Sequence, residues 1–258
     1  MSVELLFLGT GTSAGVPMIG CHCEVCSSDD PKDKRSRPSV VVSQGGTRVL
    51  VDTSPELRLQ CVANGIDMVD AVVITHAHAD HIMGLDDVRR FNALKNGPMD
   101  VWAEPLAFTT LLRCFGYAFR EQEADLKVFR PHLVPREITG EFSVGPMVWK
   151  PIRLFHGKLP VLGFRVGGLA YCTDVNRIPD ESFELMQGLD LLVLDALQRM
   201  PHSTHFSVDQ ALAVVDRLKP KQTRFTHIAH SLGHAATNAT LPDNVRLAYD
   251  GERISVSE

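Results

Sequence analysis

Thr75-His76-Ala77-His78-Ala79-Asp80-His81-Ile82-Met83-Gly84 follows directly on the apolar run Ala71-Val72-Val73-Ile74. Three imidazoles and one carboxylate fall within six residues. In extended backbone successive side chains alternate faces, so His76 and His78 leave the strand end on the same side. Asp80 and His81 come where the chain must turn, and they address the same point from a second direction. Neutral imidazole and carboxylate are the usual protein ligands of zinc and its neighbours. Packing gives a chain no reason to crowd four of them together. The stretch reads as a metal site and not as a surface histidine cluster.

Three further candidates follow in order. His156 comes after the apolar segment Trp149 to Phe155, Asp174 closes Leu169-Ala170-Tyr171-Cys172-Thr173, and His227 ends Arg224-Phe225-Thr226. Each stands at the C-terminal end of a strand-like segment, where site residues collect in α/β sheets. Singly they would read as a loop histidine, a turn aspartate and a buried polar residue; behind the first motif they read as a set. Cys21-His22-Cys23-Glu24-Val25-Cys26 puts three thiols in six residues, and His230 lies three residues beyond His227. Three thiolates plus one imidazole make a closed tetrahedral set of the kind found in structural zinc sites. Alone, the cysteine spacing is equally compatible with redox-active or simply buried thiols.

The pattern HxHxDH after a hydrophobic strand resembles the metal-binding signature of the metallo-β-lactamase superfamily, and the resemblance covers residues 1 to about 255. It implies an α/β (α+β) fold, a four-layer αβ/βα sandwich with metals at the edge where the two sheets meet. It implies two catalytic divalent metals, one on His76, His78 and His156, the other on Asp80, His81 and His227, with Asp174 shared. Zinc or manganese both suit such ligands. The fuller pattern TGTSAGVP…GCHCEVC…HAHADH…THIAH is similar to the PhnP-type branch, named for the cyclic-phosphate phosphodiesterase of the carbon–phosphorus lyase pathway. That branch implies a third, structural zinc on Cys21, Cys23, Cys26 and His230. It also places a non-ligand histidine before a helix, which matches His205; His202 is a weaker candidate for the rim.

The resemblance implies a hydrolase for small phosphodiesters, of ribosyl 1,2-cyclic phosphate or 2′,3′-cyclic nucleotide type, using a water activated between the metals. Asp80, Asp174 and His205 would form the catalytic set, with His205 donating a proton to the leaving group. Three alternatives stay open. A tRNA 3′-processing nuclease typically carries a long arm between the ligands matching His156 and Asp174, where this chain has only 17 residues. A thioester or lactam hydrolase usually lacks the cysteine cluster. A non-catalytic pathway protein resembling pyrroloquinoline quinone biosynthesis protein B shares a similar cluster. The loop Gly9-Thr10-Gly11-Thr12-Ser13-Ala14-Gly15 resembles a phosphate cradle but lacks the Lys-Ser/Thr ending of a P-loop, and reads mainly as a tight loop over the site.

Composition sets the bounds. With 258 residues, 44% hydrophobic, the chain suits one large domain spanning 1–258, since no linker divides the motif residues. A net charge of −5 without a basic patch gives no support for bulk nucleic-acid binding. No apolar run is long enough to span a bilayer, and the N-terminus lacks the basic region of a signal peptide. Cys61, Cys114 and Cys172 are scattered thiols, in keeping with a cytoplasmic protein. A small phosphodiester substrate is the expected partner, and a homodimer is left open.

The elements expected are strands at 3–8, 39–43, 47–52, 71–74, 101–102, 190–195 and 223–227, and a strand pair within 142–171. Helices are expected at 55–64 (ended by Gly65), 84–95, 105–115, 180–187 and 207–218, the last capped by Ser207 with Gln210. A final hairpin is expected to turn at Asp250-Gly251. The stretch 98–145, with Phe108, Phe115, Tyr117 and Phe119, is expected to help wall the site or to fill the core.

Overall fold

The structure is a computed structural model that describes residues 2–120 and 129–256. In the first half β1 (Val3–Gly9), β2 (Ser39–Gln44) and β3 (Thr47–Val51) run antiparallel. β4 (Ala71–Val73), β5 (Met99–Ala103) and β6 (Leu133–Glu137) then continue the sheet in parallel. Helices α1 (Leu57–Asn64), α2 (Ala79–Ile82), α3 (Arg89–Lys95) and α4 (Pro105–Phe115) connect these strands. The second half repeats the scheme. β7 (Phe142–Val144), β8 (Met147–His156), β9 (Leu159–Val166) and β10 (Leu169–Cys172) are antiparallel, and β11 (Leu191–Asp195), β12 (Gln222–Thr226) and β13 (Val245–Leu247) follow in parallel. Here the helices are α5 (Asp180–Leu185), α6 (Val208–Leu218) and α7 (His234–Asn238).

Strand alternation divides the core into three layers. In β1, Leu5 and Phe7 face the second sheet and pack with Trp149, Phe164 and Tyr171. Leu6 and Leu8 face outward and pack with Leu57 of α1 and other residues beneath the helices. Ala170, Leu192 and Leu194 do the same for α6 in the second half. Strand segments covered on both faces need apolar side chains at successive positions, which is why residues 5–8 of β1, β4 and residues 191–194 of β11 read as hydrophobic runs. The result is the expected four-layer αβ/βα sandwich, two seven-stranded sheets with helices outside. Among the described residues, no helix is long and apolar enough to cross a membrane.

Several expectations need correction. The final hairpin does not form: β13 pairs with β12, whereas β14 (Arg253–Val256) crosses to the other sheet and pairs with β1. Asp250 is an anchor and not a hairpin turn. Its carboxylate accepts from Thr10 N (2.9 Å) and Thr10 Oγ1 (2.7 Å), and from Ser36 N (2.7 Å) and Ser36 Oγ (2.6 Å). The expected helix at 84–95 is a 3₁₀ turn, Leu85–Val88, leading into α3. β6 was not foreseen because Pro135 interrupts it; as an edge strand it can accommodate the missing N–H. Phe108 and Phe115 are core residues under the first sheet, and Phe119 packs against them. Tyr117 is 41% exposed and hydrogen-bonds Asp86. Within the expected wall stretch, residues 121–128 lie outside the described residues.

Asp250→Ala is expected to cost about 2–4 kcal/mol in urea denaturation, because two backbone N–H groups lose their only acceptor in a largely buried setting. A loss below about 0.5 kcal/mol would show that the crossover is not anchored there.

Candidate metal centre

The ligand residues meet where the strand ends of both sheets converge. His76 and His78 follow β4, and Asp80 and His81 lie on the single turn of α2. His156 is the last residue of β8, while Asp174 and His227 stand just beyond β10 and β12. One potential ligand atom from each of His76, His78, His156 and Asp174 falls within 4.8 Å of the others, and the same holds for Asp80, His81, Asp174 and His227. Asp174 belongs to both groups. His81 Nε2 is 3.2 Å and His227 Nε2 3.4 Å from its oxygens, and His76 Nε2 is 3.9 Å away.

Asp52, Asp174 and His227 adopt left-handed backbone, with φ of 61°, 52° and 58°. For residues with a Cβ this conformation is uncommon and costs on the order of 1 kcal/mol or more. It turns each side chain off its strand axis toward the common point. Gly84 keeps α2 in place. A Cβ there would lie 2.0 Å from Ser54 O, so only glycine lets the histidine segment close against the end of β3.

Hydrogen bonds decide which ring nitrogen faces the centre. His81 Nδ1 donates to Asp52 Oδ2 at 2.7 Å, and His156 Nδ1 donates to Thr204 O at 2.8 Å. Thr75 donates its hydroxyl to Asp52, which leaves its oxygen to accept from His76 Nδ1 at 3.1 Å. In each case Nε2 is the free nitrogen, and orienting partners of this kind are what metal-binding histidines use. The Nε2 atoms of His76, His81 and His227 are buried without any hydrogen-bond partner. Orphaned buried nitrogens are costly, so these residues fit a metal.

The charges agree. Burial opposes ionisation of Asp174, yet His227 and His81 hold its carboxyl well below the usual range. Burial likewise opposes a charged His81, but Asp174 and Asp52 keep it well above the ordinary histidine value. His227 is pushed up to about 8 against its own burial, by Asp174 and Asp80. Packed carboxylates thus demand positive charge at one point, and two divalent cations would meet that demand. Both expected ligand sets are assembled as the sequence implied.

The second cluster forms as well. His230 Nδ1 is 3.4 Å from Cys21 Sγ and 3.3 Å from Cys23 Sγ, and Cys26 joins the same group within 4.8 Å. A backbone hydrogen bond from Cys26 and the nearby His230 lower the Cys23 thiol to about 6, as suits a thiolate ligand. Arg35, fully buried, pins the surrounding loops by donating to Ala229 O (3.1 Å) and Leu232 O (2.7 Å) and pairing with Asp33 at 2.9 Å. The four residues supply four protein donors, enough to complete a tetrahedral set of the form found in structural zinc sites.

The loop Gly9–Gly15 is not a phosphate cradle. Thr10 N bonds Asp250, Gly11 N bonds Ser36 O, Thr12 N bonds Ile228 O and Gly15 N bonds Thr12 O, so these donors are spent. A Cβ at Gly9 would lie 2.0 Å from Arg37 O, so the glycine serves close packing.

His205 stands between the ligand groups. Its ring stacks on His227 at 4.6 Å and lies 4.5 Å from His156. Its Nδ1 donates to Asp195 Oδ2 at 2.6 Å, and the same oxygen accepts from Val175 N. His202 is exposed at 5.3 Å from His205, at the rim. Asp52 and Asp195 are the residues that the sequence reading missed. Both stand at the end of an apolar strand, as several ligands do, and that was the available signal.

Residues 47–228 match the model of the β-lactamase superfamily domain. The crystal structure of a new diphosphatase from the PhnP family superposes with a TM-score of 0.93 at 41% identity, covering 99% of this chain and 98% of that one. The chain therefore belongs to the metallo-β-lactamase superfamily and, within it, to the PhnP family. The buried His/Asp cluster has the residue types and spacing of a metal centre. Zn²⁺-bound PqqB from Methylobacterium extorquens shares the fold, with a TM-score of 0.76 at 19% identity, covering 98% of this chain and 100% of that one. Among curated sequences, an octanoyltransferase from Porphyromonas gingivalis is 34% identical over 99% of this chain but only 52% of its own length. The chain thus spans about half of that relative.

Purified protein is expected to carry about three metal equivalents per chain. Cys23→Ser should lose about one and lower the melting temperature, since the binding energy of a structural zinc is folding energy. Asp174→Asn should lose metal from the other set while Cys23 and its partners keep theirs. Full metal content in both variants would leave the clusters as ordinary buried polar groups.

Proposed function

We propose that this protein hydrolyses small phosphodiesters, cyclic phosphates foremost, at the His/Asp centre. The observation that carries the reading is the Asp195–His205 pair set beside both ligand groups. Divalent cations on these ligands supply an activated water and positive charge for the phosphoryl oxygens. The protein's own residues supply the rest. Asp195 holds His205 with Nδ1 turned away from the centre, so Nε2 faces the reacting group. Placed there, a protonated His205 gives its proton to the departing alkoxide, which is a poor leaving group without one. Asp195 stabilises the charge on that imidazolium. Asp80 and Asp174 would serve the catalytic set by holding the cations.

A second reading has its own support. The 41% identical relative is titled a diphosphatase, and breaking a diphosphate uses the same attack on phosphorus. Its leaving group is a phosphate, already stable as an anion, and needs little help from an acid. The octanoyltransferase name belongs to a relative of about twice the length, and nothing at this site favours acyl transfer. The 17-residue connection between His156 and Asp174 is the tight β8–β9–β10 turn-back, with no room for a tRNA-gripping arm.

His205→Ala is expected to lower turnover of alkyl and cyclic phosphodiesters by about 10²–10⁴-fold with metal content retained. The loss should shrink for bis(p-nitrophenyl) phosphate, whose leaving group needs no proton. Asp195→Asn should follow the same leaving-group pattern with a smaller loss. An equal loss on all esters would make His205 a positioning group, and turnover confined to diphosphates would favour the second reading.

A further inference from the structure

A cavity of about 210 Å³ opens directly on His76 and His78. Its far wall is built by Glu104 at the end of β5, by Leu106 and Thr110 of α4, and by Pro160 of β9. Nothing in the ligand arrangement requires this space. It is space beside the candidate ligands His76 and His78 that one substituent of a bound ester could occupy.

Three observations set the chemistry of that substituent. The first is size: drug-sized ligands and nucleosides occupy clefts of roughly 300–1,000 Å³, so this slot takes only a compact group. The second is charge. Among the described residues no lysine or arginine lines the cavity, and Glu104 is itself paired with Arg153, whose Nη1 donates to Oε2 at 2.9 Å while Nη2 reaches Oε1. The pair is neutral as a unit, and the slot has no cation to receive a second phosphate. The third is polarity. The half-buried Thr110 hydroxyl has no hydrogen-bond partner among the described residues, and the Glu104 carboxylate lines the cavity and is 20% exposed. Leu106 and Pro160 supply apolar sides.

We propose that this cavity is a subsite for a compact, uncharged, hydroxyl-bearing fragment of the substrate, a small polyol attached through the scissile phosphate. The inference rests on the phosphate-processing reading above and narrows its substrate class. Thr110 and Glu104 take the hydroxyls, Leu106 and Pro160 pack on the carbon skeleton, and a nucleobase or a second phosphate is excluded. Thr110 and Leu106 are thereby specificity-determining residues.

The test is calorimetric binding of phosphate monoesters to the Mn²⁺-loaded protein, which needs no turnover. Glycerol 1-phosphate is expected to bind about 10-fold more tightly than methyl phosphate, through one or two added hydrogen bonds. Adenosine 5′-monophosphate is expected to bind no better than methyl phosphate. Thr110→Val should cut the glycerol advantage to about threefold or less. Leu106→Trp, which fills the slot from a position 54% exposed, should abolish it without disturbing the core. Equal affinity for glycerol and methyl phosphate, a ratio unchanged in both variants, or tighter binding of the nucleotide would overturn the subsite. If the binding ratio holds while no phosphodiester is turned over, the proposed reaction falls and the subsite stands. No binding of any monoester removes both.

Discussion

A single buried carboxylate, Asp174, holds three imidazoles around it, and the rest of the site depends on that arrangement. It is 2% exposed and lies between 3.2 and 3.9 Å from His76, His81 and His227. Two of those rings come from the first half of the chain and one from the second. Such a gathering is unstable on its own terms, because ionised groups removed from water must be paired or coordinate a metal. The sandwich architecture is what tolerates it. Two sheets fix the buried residues Asp174, His76, His81 and His227 from opposite sides, away from water.

The two halves contribute in parallel. Asp52 directly follows β3 in one sheet and fixes His81; Asp195 ends β11 in the other and fixes His205. One aspartate orients a candidate ligand and the other orients a histidine beside both ligand groups, so the same device recurs in the two halves. Left-handed backbone at Asp52, Asp174 and His227 stores local strain that surrounding hydrogen bonds must offset. That strain is concentrated at the strand ends, where it directs side chains inward.

Distant parts of the sequence are tied around this centre by polar anchors and not by apolar burial alone. Asp250 joins Thr10 and Ser36, Arg35 joins the segment that carries His230, and the cysteine cluster closes on the same histidine. His230 lies three residues beyond His227, so a zinc on the thiolates would steady the loop that carries a candidate ligand of the other set. The two clusters are thereby mechanically linked through one short segment of chain.

Sequence alone picked out the candidate ligands, because coordination chemistry is local: residue type, strand-end position and spacing in HxHxDH mark a candidate metal site before any tertiary contact is known. It also determined the strands buried on both faces, the Gly65 cap and the Ser207–Gln210 capping box, each a short-range pattern. What it could not determine rests on contacts between residues far apart in the chain. The closing Val245–Val256 segment reads as a hairpin locally, and only the open edge of β1 in the other sheet decides that it crosses over. Asp52 and Asp195 look like ordinary strand-end aspartates until the fold brings His81 and His205 to them. Glu104, Thr110 and Pro160 carry no motif at all; they become one wall only when α4 and β9 pack beside His76 and His78. Tertiary structure decided those roles, since a cavity and an orienting hydrogen bond exist only between elements that the sequence leaves apart.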